Sequence, residues 1–223
     1  MVDLEQYNTW IFDCDGVLLD SNRVKTEAFF LAAEPYGRER AQALVDYHVR
    51  NGGVSRYVKF RTFLSDIVGE AEPDRDELQQ LLDRYAAQVA EGLRRCAVAE
   101  GLRSLRELTR DARWLVVSGG DQEELRAVFS GRGLADLFDG GIFGSPDTKD
   151  DILGRELKSG HIQQPAVFVG DSRYDMEASS RAGLDFIFAR RWSESDHDFS
   201  GATLTVDGID TLVQRLELSS RGQ

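Results

Sequence analysis

The sequence predicts an α/β protein: a parallel sheet with crossover helices, interrupted by an all-helical insertion. Short unbroken apolar runs at Thr9–Phe12, Trp114–Val117, Ala166–Val169 and Phe186–Ala189 have the pattern of strands buried on both faces. Helix-like stretches separate these runs, and strands alternating with helices imply crossover connections. From about residue 22 to residue 95 the strand-like runs disappear and helical spacing takes over. A chain of 223 residues accommodates one ordinary domain enlarged by such an insertion.

In sheets of this kind ligands bind beyond the carboxyl ends of the strands, so the residues after each run are the first candidates. The first run ends in Asp13-Cys14-Asp15-Gly16, two carboxylates that a turn at Gly16 could present to one site. Cys14 falls on the opposite face and reads as packing. Asp20 and Ser21 read as hinge or helix-capping residues. Within the insertion, Phe60, Phe63, Leu64, Ile67 and Val68, and then Leu78, Leu81, Leu82, Tyr85 and Val89, repeat at helical spacing. Hinges are expected near Leu18–Asn22 and Arg95–Gly101, which divides the chain into a core of residues 1–21 and 96–223 and a cap of residues 22–95.

The second run is followed by Ser118-Gly119-Gly120, a hydroxyl and unobstructed backbone amides that suit a phosphate oxygen. Lys149 follows in Gly144-Ser145-Pro146-Asp147-Thr148-Lys149, and the run at Ala166–Val169 leads into Gly170-Asp171-Ser172-Arg173-Tyr174-Asp175. Asp121 and Asp151 read as helix-start acids. None of His48, His161 and His197 lies in a motif, and each reads as structural or solvated. Taken singly these elements are ordinary turns and caps. Their order along the chain is the specific signal.

Composition narrows the partners. Apolar residues at 41% and charged residues at 30%, with 4 Pro, describe a folded chain. A balance of 27 Lys+Arg against 39 Asp+Glu, net −12, repels polyphosphate backbones and anionic membranes, so neither nucleic acid nor a membrane is expected as partner. Cys14 and Cys96 make neither a disulfide framework nor a zinc spacing. With no export signal and no long apolar run visible, a cytoplasmic setting is expected. The tail after Leu218 is expected to fray.

The ordered motifs, from Trp10 to about Phe188, resemble the haloacid dehalogenase superfamily, in particular its phosphatase branch with a helical cap, which includes phosphoglycolate phosphatases and β-phosphoglucomutase. The resemblance implies a Rossmann-like α/β core and an Mg²⁺-dependent phosphatase. It makes Asp13 the nucleophile and Asp15 the general acid/base. It assigns Mg²⁺ to Asp13, Asp171 and the backbone carbonyl of Asp15, with Asp175 in that shell, just outside it through water, or fixing Lys149. Ser118, Lys149 and the amide of Gly119 would bind the phosphate oxygens. Relatives that cleave carbon–halogen or carbon–phosphorus bonds lack an acid at the place of Asp15, so a phosphate ester of a small metabolite is implied.

Substrate choice is expected to lie in the cap. From Val49 to Ser65 there is no acidic residue, while Arg50, Arg56, Lys59 and Arg61 fall there. The stretch Asn51–Tyr57 reads as a glycine turn into a helix capped by Ser55. Related caps place this turn over the catalytic site, which makes Arg56 the first specificity candidate and Lys59 the second; Arg50 and Arg61 read as a solvated face. Two cations there would suit a phosphorylated sugar, sugar acid or carboxylic acid. Many relatives carry a histidine twelve residues after the nucleophile, where this chain has Lys25, a departure that weakens a phosphomutase reading. A non-catalytic sugar-phosphate binder is the reading from another class.

Overall fold

The protein is described by a computed structural model over residues 2–221. Its centre is a six-stranded sheet in the order β3-β2-β1-β4-β5-β6. The strands are β1 (Thr9–Phe12), β2 (Arg113–Asp121), β3 (Gly141–Ser145), β4 (Ala166–Gly170), β5 (Asp185–Ala189) and β6 (Leu204–Val206), and each neighbouring pair is parallel. The four expected apolar runs fall in β1, β2, β4 and β5. Strands β3 and β6 are additions: β3 carries two glycines and β6 is a three-residue edge strand, so neither forms a continuous apolar run.

Alternation within the strands feeds two cores. From β1, Trp10 and Phe12 join Trp114, Val116, Leu102 and Leu212 on one face, whereas Ile11 joins Leu115, Phe168, Ile152 and Ala178 on the other. Helices α5 (Leu102–Leu108), α6 (Gln122–Gly131) and α9 (Ile209–Arg221) contribute to the first face, α7 (Lys149–Lys158) and α8 (Arg173–Arg181) to the second. Cys14 is fully buried in the first core, as its place in the strand predicts. The frayed tail is corrected in part: α9 continues past Leu218 to Arg221, and Gly222 and Gln223 lie outside the described residues.

Between β1 and β2 the chain forms α1 (Asn22–Ala33), α2 (Arg38–Arg50), α3 (Arg56–Thr62) running into a π-helical turn at Phe63–Val68, and α4 (Arg75–Arg95). These helices have their own core of Phe29, Leu44, Phe60, Phe63, Leu81 and Tyr85. Helix α4 starts where Asp74 accepts from the amides of Asp76 and Glu77, and it buries the stripe Leu81, Leu82, Tyr85, Val89 and Leu93. Each such side chain contributes about 1.5–3 kcal/mol on burial. The insertion leaves and rejoins the sheet through paired segments: Asp20 N donates to Ala97 O at 3.0 Å and Ala99 N to Leu18 O at 2.9 Å. Among the described residues no helix is long and apolar enough to cross a membrane.

This strand order places the topological switch between β1 and β4, where successive connections run in opposite directions and a crevice opens at the strands' carboxyl ends. Asp13 follows β1 and Asp171 follows β4.

Candidate active site

Asp13 is held at the crevice by its amide, which donates to Val169 O at 2.9 Å. Across from it, β4 ends in Gly170, and α8 starts with a reciprocal cap: Ser172 Oγ accepts from Asp175 N at 3.2 Å, while Asp175 Oδ2 accepts from Ser172 N at 3.0 Å and Ser172 Oγ at 2.7 Å. This occupies one oxygen of Asp175 and turns the other toward Lys149, whose ammonium it pairs with. Lys149 opens α7 behind its own capping box of Thr148 and Asp151. Its Nζ also lies 2.9 Å from Asp13 Oδ1, yet that buried oxygen has no directed hydrogen bond.

Asp13, Asp171 and Asp175 are all buried, and one oxygen of each lies within 4.8 Å of the others. Burial, partly offset by Lys149, pushes the Asp13 carboxyl up to about 7, and burial with the charges of Asp13 and Asp175 pushes Asp171 well up. Lys149 stays protonated, because Asp13 and Asp175 outweigh its desolvation. Three carboxylates against one ammonium leave excess negative charge in a buried, all-oxygen donor set. A hard divalent cation such as Mg²⁺ fits that set. Gly16 is required beside it: with φ +74°, a Cβ there would stand 2.1 Å from Asp171 Oδ2 and 2.4 Å from Asn22 Nδ2. Asn22 in turn donates to Asp171 Oδ2 at 2.7 Å and to Trp192 O at 2.8 Å.

Asp15 faces the cavity from the other side of the turn, accepting from Ser21 Oγ at 2.6 Å and Lys25 Nζ at 2.5 Å. Burial opposes its charge, but Lys25 and both hydrogen bonds outweigh that and hold the carboxyl below its ordinary value. Of the two roles expected of Ser21, hinge or helix cap, the capping one is not seen: it precedes α1 but makes no side-chain cap bond. Lys25, noted in the sequence only as a departure from relatives, is the ion-pair partner of Asp15. Ser118 is buried within β2, after its apolar run, and its Oγ accepts from Gly120 N at 3.1 Å. Asp121 caps α6 through Glu124 N at 3.0 Å.

The cap turn is seated directly on this constellation. A Cβ on Gly119 would meet Gly53 O at 2.1 Å, and one on Gly53 would meet Ser172 Oγ at 2.8 Å and Lys149 Nζ at 3.5 Å. Two bare backbones thus touch where any side chain would hold them apart. Ser55 Oγ accepts from Val58 N and starts α3. Arg56 lines the cavity, but its guanidinium is engaged: it lies 3.3 Å from Glu124 Oε1 and Oε2, 3.7 Å from Asp121 Oδ2, and 5.2 Å from the Tyr85 ring centroid. Tyr57 adds a hydrogen bond to Asp121 at 2.7 Å. Lys59 also lines the cavity, buried, with His48 Nδ1 at 2.7 Å. Arg50 and Arg61 are exposed, as expected.

His48, expected to be structural or solvated, packs on Phe29 and also lines the cavity. Sequence reasoning also missed Asn22 and the acid-holding roles of Ser21 and Lys25. The signal available was position, since Ser21 and the first turn of α1, residues 22–25, follow the Asp-x-Asp turn directly. His161 pairs with Glu156 and His197 packs on Phe199, away from the site.

A family model described as haloacid dehalogenase-like hydrolase matches residues 7–183. No curated protein matches the chain in sequence. Among solved structures the chain is similar to a predicted phosphatase from Clostridium acetobutylicum, with TM-score 0.73, 21% identity, 95% of this chain and 99% of that one covered. It is also similar to CbbY from Rhodobacter sphaeroides in complex with phosphate (TM-score 0.69, 21% identity, 92% and 96% covered). A third is the HAD-hydrolase YfnB from Bacillus subtilis bound to magnesium (TM-score 0.66, 19% identity, 95% and 99% covered). At these identities the likeness is one of fold.

Proposed function

Because the chain belongs to the haloacid dehalogenase-like hydrolases, we propose that it is an Mg²⁺-dependent phosphatase hydrolysing the phosphate monoester of a small polar metabolite. The observation that carries this reading is the division of labour between two carboxylates two residues apart. Asp13 lies buried beside Lys149, while Asp15 lies on the cavity wall, held by Ser21 and Lys25. Binding alone needs neither a nucleophile nor an adjacent acid. Neighbours of the same fold bound to phosphate and to magnesium add support.

In this reading Asp13 attacks phosphorus, the bond from phosphorus to the alcohol oxygen breaks, and Asp15 delivers a proton to that oxygen. Water then attacks the aspartyl-phosphate, Asp15 takes its proton, and the bond from phosphorus to Asp13 breaks to release phosphate. The negative charge of the bound ester raises the proton affinity of Asp15 for the first step; having given that proton to the alcohol, Asp15 is itself the ionised base of the second, a form Lys25 stabilises. Ser118, the amide of Gly119 and Lys149 bind the non-bridging oxygens. Mg²⁺, held by Asp13, Asp171 and the carbonyl of Asp15, with Asp175 fixing Lys149, would neutralise charge on the phosphoryl group.

The division into a core of residues 1–21 and 96–223 and a cap of residues 22–95 belongs to the same proposal, with Arg56 and Lys59 as the cap's contribution to the substrate site. The cap opens to admit substrate and closes to exclude water. Release of p-nitrophenol from p-nitrophenyl phosphate with Mg²⁺, compared between wild type and Asp13→Asn, tests it. Turnover in the first and loss in the second is expected, and equal inertness across a panel of phosphate esters overturns it.

A further inference from the structure

Cap and core meet at Asp171. Asn22, the first residue of α1, donates through Nδ2 to Asp171 Oδ2 at 2.7 Å and to Trp192 O at 2.8 Å. Both hydrogens of that amide are thereby spent, one on the carboxylate and one on the loop after β5. The loop in turn holds the backbone of the same aspartate, since Ser193 Oγ donates to Asp171 O at 2.6 Å. One turn further along α1, Thr26 Oγ1 donates to Glu194 Oε2 at 2.7 Å. The first turn of the cap is thus fastened to the core around one carboxylate.

Among the described residues Asn22 is the sole side-chain donor to that carboxylate. Engaging Oδ2 leaves Oδ1 without a donor, the oxygen open to a cation. The charges of Asp13 and Asp175, close enough to share a cation with Asp171, would otherwise favour turning the carboxylate away. A carboxylate that ligates a metal is commonly oriented by such an outer hydrogen bond, and losing the bond weakens metal binding. Here the donor comes from the cap and the ligand from the core.

Resting on the phosphatase reading above, with Mg²⁺ as its cation, we propose that Asn22 is a positioning residue for Asp171 and that it links metal binding to the seating of the cap. A cation that draws on Asp171 in the orientation Asn22 fixes favours the seated cap, and the seated cap strengthens cation binding by the same factor. Asn22 acts only through Asp171, and Asn22→Leu removes its donor at nearly constant volume.

Titration calorimetry with Mg²⁺ on the chelator-stripped protein tests the positioning role. Relative to wild type, Asn22→Leu is expected to raise the dissociation constant about ten- to a hundredfold, the range for partners of metal ligands. Asn22→Gln, which keeps the amide, restores part of the affinity. Thr26→Val, which loosens the same turn without touching Asp171, leaves it near the wild-type value. Thermal unfolding checks that each variant is folded, and Asn22→Ala replaces Asn22→Leu if the latter is not. Amide hydrogen exchange tests the linkage: saturating Mg²⁺ is expected to slow exchange in residues 51–57 of wild type and not of Asn22→Leu. An unchanged dissociation constant in Asn22→Leu, an equal loss in Thr26→Val, or protection of residues 51–57 that is absent from wild type or survives in Asn22→Leu overturns the proposal. Mg²⁺-dependent turnover of p-nitrophenyl phosphate that needs Asp13 then still keeps the phosphatase reading. Wild type that binds no Mg²⁺ overturns both.

Discussion

The guanidinium of Arg56, on the cap, lies 3.3 Å from both carboxylate oxygens of Glu124, on the sheet core. Both side chains are mostly buried, so the pair is screened less than a surface ion pair. It joins the cap to the core at the wall of the cavity that both residues line.

If this contact is a clasp, Arg56→Ala and Glu124→Ala should each speed amide hydrogen exchange in residues 51–57, and the double variant should add little to either. Stability measurements on the same set should give a coupling of about 0.5–3 kcal/mol, the range for residues in contact. Full additivity would show that the pair does not hold the cap.

Gly119→Ala should leave the core folded and spoil closure. The added Cβ would stand 2.1 Å from Gly53 O, a backbone atom that cannot rotate aside. A misplacement of about 1 Å near reacting groups costs on the order of a hundredfold in rate. A kcat/KM drop of that size, with the melting temperature nearly unchanged, is the expected result.

Lys25→Met should move the pH profile. Lys25 is the charge that holds Asp15 below its ordinary value, so removing it lets burial raise that carboxyl. The first step, phosphoryl transfer to Asp13, needs protonated Asp15 and then persists to a higher pH. The basic limb of kcat/KM should shift upward; an unmoved limb would assign it to another group.

Metal should stabilise the fold. Ionised Asp13 and Asp171 resist their burial, and a cation that binds only the folded state adds about 2.7 kcal/mol at a hundred times its dissociation constant. Mg²⁺ is expected to raise the melting temperature of the wild type, with little effect on Asp171→Asn, and a chelator should reverse the gain.

The legible part of the site is the part written at strand ends. Asp13, Ser118 and Asp171 follow continuous apolar runs, so their convergence at one edge of a parallel sheet follows from the pattern. Glycine-rich β3 and the short edge strand β6 left no such run. The contacts of Lys25, His48 and Arg56 were illegible for another reason: each depends on how the helical insertion seats on the core. The basic stretch from Val49 to Ser65 pointed toward the cavity, but nothing local to it distinguishes Arg56, which meets Glu124 68 residues away, from Lys59, which bonds to His48 and lies over Phe29.

The paired hinge has an evolutionary corollary. The insertion departs at Asp20 and returns at Ala97, whose backbones are hydrogen-bonded at 3.0 Å. The two ends of the excursion are therefore fixed by the core itself, and the closure cost of what lies between them grows only slowly with its length. A helical unit of different size could be grafted there provided it keeps the first turn of α1, where Asn22 and Lys25 hold Asp171 and Asp15. Beyond that turn the insertion and the strand-end carboxylates occupy separate stretches of the same gene, free to change at different speeds.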